Sequence, residues 1–191
     1  EPDGSVKELD ASAYVSLTRC SEFIETFDAT QQNRGLVLHG PVGRGKTHLM
    51  VAMLRELVMR HGVPVRFMEF SRLLGLLKEG YSAGRSDAPL LTELAHVPVL
   101  AIDELGKGRL SDWELAVIDE VVSRRYNGLG CIVATTNYAP GEATGIDTIN
   151  LATPRGAVQR LPDRVGERVY SRLCQMVDFV GLNGRDHRQP D

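Results

Sequence analysis

The sequence predicts an α/β fold in which a mostly parallel, five-stranded sheet is covered by helices on both faces. Segments with apolar residues at helical spacing alternate with short apolar runs along the chain, as in folds built from β–α units. The run Val97–Ile102 is apolar at every position, which is typical of a parallel strand buried on both faces. A length of 191 residues favours a single domain with one substantial core.

These patterns assign most of the chain in order. The predicted strands are Leu36–Leu38, Val65–Phe70, the run within Val97–Gly106, the run within Gly130–Asn137, and Met176–Leu182. The predicted helices are Ala11–Phe27, His48–Arg60, Ser71–Tyr81, Leu90–Ala95, Asp112–Tyr126 and Asp163–Cys174. Ser71 is expected to be the N-cap of its helix. Residues 1–10 are predicted to be a loose lead-in, and Ala139–Arg160, rich in Gly, Pro and Thr, receives no assignment.

The composition excludes several classes of protein. Hydrophobic residues make up 42% and charged residues 25%, as in soluble globular domains. No apolar run approaches the roughly 20 residues that span a bilayer, so no membrane association is expected. The three cysteines are far apart and form no CxxC pair, which argues against a zinc site or a disulfide framework and suits a reducing cytoplasm. A net charge of −3 gives no bulk signal for nucleic-acid binding, so any such surface must be local.

The segment between the first strand and the next helix has the pattern G-x-x-x-x-G-K-T. Glycines let the backbone curl so that several N–H groups point into one concavity at a helix N-terminus, where an anion is stabilised. Lys46 would neutralise the β- and γ-phosphates of a nucleoside triphosphate, and the Thr47 hydroxyl would ligate Mg²⁺. The alternative is an ordinary glycine-rich turn, which the full pattern disfavours. The predicted ATP or ADP site contains Gly40, Pro41, Val42, Gly43, Arg44, Gly45, Lys46, Thr47 and His48.

Polar side chains at the ends of two later strands predict the rest of a hydrolytic site. Asp103 and Glu104 end an apolar strand, and ligands of parallel sheets bind at the carboxyl ends of the strands. Asp103 would hold the Mg²⁺ shell, and Glu104 would orient and deprotonate the attacking water. Asn137 ends the next strand and is interpreted as a holder of that water or of a γ-phosphate oxygen. The simpler alternative is that Asn137 forms a turn.

These motifs, in this order and spacing, resemble an AAA+ ATPase. The segment "GERVYSRL" (166–173) closely resembles the arginine-bearing helix of the DnaC/DnaI/IstB group of helicase loaders and transposition helpers. "DELG" (103–106) and "GRDHR" (184–188) resemble the same group, and the similarity runs from about Arg34 to Arg188. The resemblance implies a P-loop AAA+ core without a C-terminal lid domain.

The same resemblance implies that Arg172 is an arginine finger, with Arg168 as its companion. Such an arginine reaches the γ-phosphate held by a neighbouring subunit and makes hydrolysis depend on assembly of a homo-oligomer. By spacing alone, the two arginines would be interpreted as a solvated pair one helical turn apart. Residues 34–191 are expected to form the ATPase domain, and residues 1–33 a lead-in and helix. Either that lead-in is the remnant of a linker to a separate partner-binding domain, or the partner is held differently.

The group also carries helices and loops that face single-stranded DNA. The matching positions here are Lys78, Tyr81, Lys107, Arg109, Ser111 and Trp113. Aromatic rings beside cations suit sequence-tolerant binding of single strands. For Lys78 and Tyr81 the alternative of an ordinary helix end is equally favoured, and for Trp113 a core position is favoured.

The resemblance therefore implies an ATP-hydrolysing loader that binds single-stranded DNA and delivers the replicative helicase during initiation of DNA replication. An IstB-type transposition helper acting on duplex DNA is the main alternative, because both share this core. A small-molecule P-loop kinase is less favoured, since an adjacent Asp-Glu pair serves hydrolysis. A nucleotide-gated assembly module with little turnover is the fourth hypothesis.

Overall fold

Five strands form one sheet in which every neighbouring pair is parallel. The computed structural model describes residues 11–84, 86–109, 111–141 and 160–183. The strands are β1 (Gly35–His39), β2 (Val65–Glu69), β3 (Val99–Asp103), β4 (Cys131–Thr136) and β5 (Val177–Gly181). Their order across the sheet is β2-β3-β4-β1-β5. β1 and β3, which carry the phosphate loop and the acidic pair at their carboxyl ends, therefore flank β4.

Helices cover both faces of this sheet, as predicted. They are α1 (Ala11–Thr26), α2 (Lys46–His61), α3 (Phe70–Ser82), α4 (Ala88–His96), α5 (Asp112–Asn127), α6 (Leu161–Val165) and α7 (Glu167–Met176). Alternate residues of each central strand point to opposite faces, and β1 shows this. Leu36 and Leu38 pack with α1 and α2 in one core cluster, while Val37 packs with α3 to α7 in the other.

A buried arginine connects the segments at the amino-terminal ends of two central strands. Arg125, on α5, is only 1% exposed. Its guanidinium donates to the carbonyl of Val97, to Pro98 O at 3.0 Å and to Cys131 O at 2.6 Å. A buried cation is tolerated where main-chain acceptors replace water. Arg125 therefore ties the segments that lead into β3 and β4 to the helix that lies between those strands in the chain.

Two local predictions are wrong. The helix predicted over Asp163–Cys174 is two helices, because Gly166 between them has φ of 83°, outside the helical range. Ser71 is not an N-cap, because α3 already begins at Phe70, after Glu69. The Ser71 hydroxyl instead donates to the Glu69 carboxylate.

The remaining boundaries agree with the predictions to within two residues at each helix or strand end. Of the segment that received no assignment, residues 142–159 lie outside the described residues, as do the predicted lead-in at 1–10 and the "GRDHR" segment at 184–188. Among the described helices, none is both long and apolar enough to cross a bilayer.

Candidate nucleotide-binding site

The phosphate loop joins β1 to α2 in a conformation that needs its glycines. Gly40, Gly43 and Gly45 all have positive φ, of 139°, 83° and 79°. A Cβ at Gly40 would also come within 2.4 Å of the Leu182 carbonyl oxygen. The loop ends at the N-terminus of α2, where unpaired N–H groups and the helix dipole favour an anion.

Lys46 is the first residue of α2 and is buried. Its ammonium donates to Gly40 O at 2.8 Å and Pro41 O at 2.7 Å, across the mouth of the loop. The positive charge therefore lies within the loop itself, at the position where an anion held by the N–H groups would meet it. This placement fits the predicted role of Lys46 as the cation of the phosphate site.

The predicted Mg²⁺ ligands are in direct contact. The Thr47 hydroxyl donates to Asp103 Oδ1 at 2.9 Å, and the Thr135 hydroxyl donates to the same oxygen. Thr47 lies in the first turn of α2, Asp103 ends β3 and Thr135 lies on β4, so three neighbouring elements converge. A hydroxyl and a carboxylate are oxygen ligands of the kind that Mg²⁺ takes from proteins, together with water and phosphate.

Glu104 stands at the start of a tight turn after β3. Its φ is 56°, which is uncommon for a residue other than glycine and marks a backbone held by its surroundings. Its N–H donates to Thr135 Oγ1 at 2.9 Å. Its carboxylate is paired with the Lys107 ammonium, and this hydrogen bond is the main cause that raises the pKa of Lys107. Glu104 is thus oriented from both its backbone and its side chain.

A cavity of about 840 Å³ is lined by most of the predicted site residues, but Gly40, Pro41 and Asp103 are not among its lining residues. This volume suits a small-molecule or cofactor ligand. The predicted residues that line it are Val42, Gly43, Arg44, Gly45, Lys46, Thr47, His48, Glu104 and Asn137.

Part of the cavity wall was not predicted. Ser16 and Leu17 of α1, Thr135, Leu182 and Asn183 also line it. The Ser16 hydroxyl donates to Gly181 O at 2.8 Å, which connects α1 to the end of β5. No sequence motif marks these residues, because they reach the cavity only through the packing of distant elements.

Arg172 and Arg168 lie on α7, which packs against α5. Arg172 Nη1 donates to Asp119 Oδ1 at 2.8 Å and to Ser123 Oγ at 2.7 Å, and its side chain is 20% exposed. Arg168 Nε is 3.6 Å from the same Asp119 oxygen, with a side chain 73% exposed. Neither arginine is among the residues that line the cavity.

The DNA candidates occupy two surfaces. Lys78 and Tyr81 are exposed on α3, and Tyr81 is 78% exposed. Lys107, Arg109, Ser111 and Trp113 lie between β3 and the first turn of α5.

On the second surface, Lys107 is paired with Glu104, and Arg109 N donates to Glu114 Oε2 at 3.0 Å. Ser111 is the N-cap of α5 and accepts from Glu114 N at 3.3 Å, so its hydroxyl has a structural role. The expected core position of Trp113 is wrong, because its side chain is 38% exposed in the first turn of α5.

Comparison of the sequence with known protein families supports a nucleotide-binding site here. A family model described as IstB-like ATP binding protein matches residues 6–146. The chain belongs to this family. The prediction of an AAA+ ATPase of the DnaC/DnaI/IstB group is confirmed, and with it the P-loop core and nucleotide binding as a property of the family.

Individual relatives extend this comparison. The replicative helicase loader DnaC of Escherichia coli strain K12 is 31% identical over 111 residues, which are 58% of this chain and 44% of DnaC. A putative ATP-binding protein in an insertion sequence of Mycobacterium tuberculosis is 33% identical over 111 residues, 58% of this chain and 43% of that protein. The crystal structure of the DnaC helicase loader matches with a TM-score of 0.76 at 30% identity, covering 92% of both chains. The chain spans about half the length of the curated relatives it matches.

Proposed function

We propose that this protein is an ATP-hydrolysing helicase loader that binds single-stranded DNA and delivers the replicative helicase. The observation that carries the proposal is the contact of Thr47 with Asp103, next to Glu104 in the chain. Thr47 and Glu104 line one cavity together with the phosphate loop. A metal ligand pair next to a water-orienting carboxylate is what hydrolysis requires. The similarity to DnaC supports the loader role.

In this mechanism separate residues bind the phosphates, hold the metal ion and activate the attacking water. The N–H groups of the loop and Lys46 bind the β- and γ-phosphates, and Thr47 and Asp103 would hold Mg²⁺, which supplies charge neutralisation when bound. Glu104 accepts the proton of the attacking water, and Asn137 orients that water or a γ-phosphate oxygen. Lys46→Ala should remove most ATP affinity, whereas Glu104→Gln should retain ATP and slow turnover. Calorimetric ATP binding and single-turnover hydrolysis measure the two effects.

Hydrolysis is proposed to depend on assembly through Arg172. An arginine supplied by a neighbouring subunit stabilises transition-state charge by about 10³–10⁵ in rate. Arg172→Ala should therefore abolish activity that rises with protein concentration while leaving ATP affinity intact.

Mixing two variants that are each impaired in hydrolysis tests the same point. Arg172→Ala mixed with Glu104→Gln should recover partial activity, because one mixed interface then contains an intact Glu104 and an intact Arg172. Absence of recovery, with both variants folded and binding ATP, would contradict action in trans.

The DNA surface is tested on α3. Tyr81→Ala should weaken single-strand binding about 5- to 150-fold, corresponding to about 1–3 kcal/mol for one stacked base, with little dependence on salt. Lys78→Ala should weaken it at low salt and lose its effect at high salt, because its contribution comes from counterion release. Tyr14→Ala on α1 and Arg55→Ala on α2 are matched exposed controls, and neither should change DNA affinity.

A transposition helper acting on duplex DNA is the second candidate, and two findings favour it. The family model is that of IstB-like proteins, and one relative belongs to an insertion sequence. ATP-dependent filaments on duplex DNA, with equal loss of duplex and single-strand binding in both α3 variants, would support this candidate. Co-purification of the replicative helicase and a preference for single strands would support the loader.

A further inference from the structure

The turn that follows the acidic pair is held from one side by an arginine of α6. Arg164 Nε donates to Gly106 O at 3.0 Å, and its Nη2 donates to the Gly108 carbonyl. Its guanidinium also lies over the Tyr138 ring, 4.9 Å from the ring centroid. Arg164 is 58 residues from Gly106 in the chain, so the contact is made by the fold and not by local sequence.

The packing between Gly106 and this arginine is close. Gly106 has φ of 84°, and a Cβ there would be 3.0 Å from Arg164 Cβ and 3.4 Å from the Tyr138 ring. The turn, the arginine and the ring are therefore packed directly against one another. Tyr138 immediately follows Asn137, so the same cluster contacts the segments that carry two of the proposed catalytic side chains.

The chemistry of the contact suits a geometric role. A guanidinium presents several donors in a rigid plane, so it can hold two carbonyls two residues apart, which a lysine ammonium on a flexible stem cannot reproduce. The recorded partners of Arg164 are main-chain carbonyls and an aromatic ring. Its charge is thus directed at the backbone of the turn that begins at Glu104.

The opposite side of the turn is fixed by the sheet. Leu105 N donates to Thr135 O at 2.7 Å, and the Thr136 hydroxyl donates to Leu105 O at 2.9 Å. Lys107 N closes the turn onto Glu104 O at 3.0 Å. These bonds and those of Arg164 together restrict the backbone of residues 104–108 and maintain the uncommon backbone conformation of Glu104.

We propose that Arg164 is a positioning residue for ATP hydrolysis. It holds the 104–108 turn so that the Glu104 carboxylate stays in the cavity that the phosphate loop lines. This inference rests on the proposed function, in which Glu104 is the general base. A displacement of about 1 Å of such a group can lower a catalysed rate about 100-fold without touching the ligand site.

The test separates turnover from binding. Arg164→Ala should lower the single-turnover rate at saturating ATP about 10- to 100-fold and change the ATP dissociation constant less than about 3-fold. Arg164→Lys keeps the charge but not the planar fork, so it should recover only part of the rate and also serves if the alanine variant does not fold. Arg124→Ala, which removes an exposed arginine paired with Glu120, is the control and should match the unmodified protein.

A double variant identifies the route of the effect. If Arg164 acts through Glu104, Glu104→Gln combined with Arg164→Ala should be no slower than Glu104→Gln alone. Multiplied losses, or an ATP affinity that falls together with the rate, would overturn the inference and show a general structural role. If Glu104→Gln alone left turnover unchanged, the proposed function itself would fail. If it slowed turnover while Arg164→Ala did not, only the role of Arg164 would be refuted.

Discussion

Replacing Gly130 with alanine should destabilise the domain by displacing Arg125. Gly130 immediately precedes β4, and an added Cβ would lie 2.4 Å from the Arg125 Cζ and 2.5 Å from its Nε. Ordinary contact begins at 3.4 Å, so the guanidinium would have to retreat by 1.0 Å (3.4 − 2.4). The side chain cannot move aside without losing contacts, because its Nη1 and Nη2 donate to the carbonyls of Ala95, Val97, Pro98 and Cys131. Its Nε is buried without a hydrogen-bond partner among the described residues.

The size of the effect follows from those bonds. Hydrogen bonds to a charged group contribute about 1.5–3 kcal/mol each, and a buried charge left without its partners costs about 3–5 kcal/mol. We expect the free energy of unfolding to fall by about 3–5 kcal/mol, out of the roughly 5–15 kcal/mol typical of a domain. At about 2–4 °C per kcal/mol for a chain of this size, the melting midpoint should fall by about 6–20 °C.

Urea unfolding followed by circular dichroism measures this change. Gly75→Ala is the matched control, because Gly75 lies inside α3 and an added Cβ meets no atom within 4 Å. That control should stabilise the protein by about 0.5–1 kcal/mol, the usual gain of alanine over glycine in a helix. A Gly130→Ala variant as stable as the unmodified protein would refute the view that the hydrogen bonds of Arg125 stabilise this end of the sheet.

Three further outcomes can be measured on the same preparations. Burial raises the pKa of the Cys20 and Cys131 thiols to about 12, whereas Cys174 is exposed. One thiol per native chain should therefore react quickly with a disulfide reagent at pH 8, and the other two should react only after denaturation. Leu129→Gly should raise the free energy of unfolding by up to about 1 kcal/mol, because Leu129 is exposed with φ of 53° and glycine adopts that conformation without strain. A lower free energy of unfolding in urea would contradict this. Thr135→Val should reduce Mg²⁺-dependent ATP affinity more than ATP affinity in chelator, because it removes the hydroxyl that contacts both acidic residues; equal changes under both conditions would contradict that role.

The part of the site that the sequence predicts is the part that is local in the chain. Gly40, Lys46 and Thr47 fall within eight consecutive residues, so a fixed spacing is enough to place the lysine and the hydroxyl at one helix N-terminus. Asp103 and Glu104 were placed by a similar local rule, that the carboxyl ends of parallel strands share one edge. The prediction of two-sided helix coverage likewise used only local patterns, namely the alternation of helical and apolar segments and the apolar character of the strands.

The contacts that sequence reasoning missed all depend on tertiary packing. Arg164 and Arg125 are ordinary arginines in the sequence, and their roles appear only when carbonyls of distant segments surround them. Gly166 interrupts an otherwise helical apolar pattern, so the pattern alone predicts one helix where there are two. Trp113 fits the apolar face of α5 by spacing, but the first turn of that helix extends beyond the core.

The position of α1 makes the nucleotide cavity sensitive to events outside it. One side of this helix is buried with α2 through Cys20, Phe23 and Ile24, and its Ser16 and Leu17 line the cavity. Its other side exposes Tyr14 and Val15 to solvent. If a molecule bound to that outer side lowered or raised the affinity for nucleotide by moving α1, thermodynamic reciprocity would require nucleotide to change the affinity for that molecule by the same factor. The first helix thus connects the wall of the nucleotide cavity directly to the outer surface of the protein.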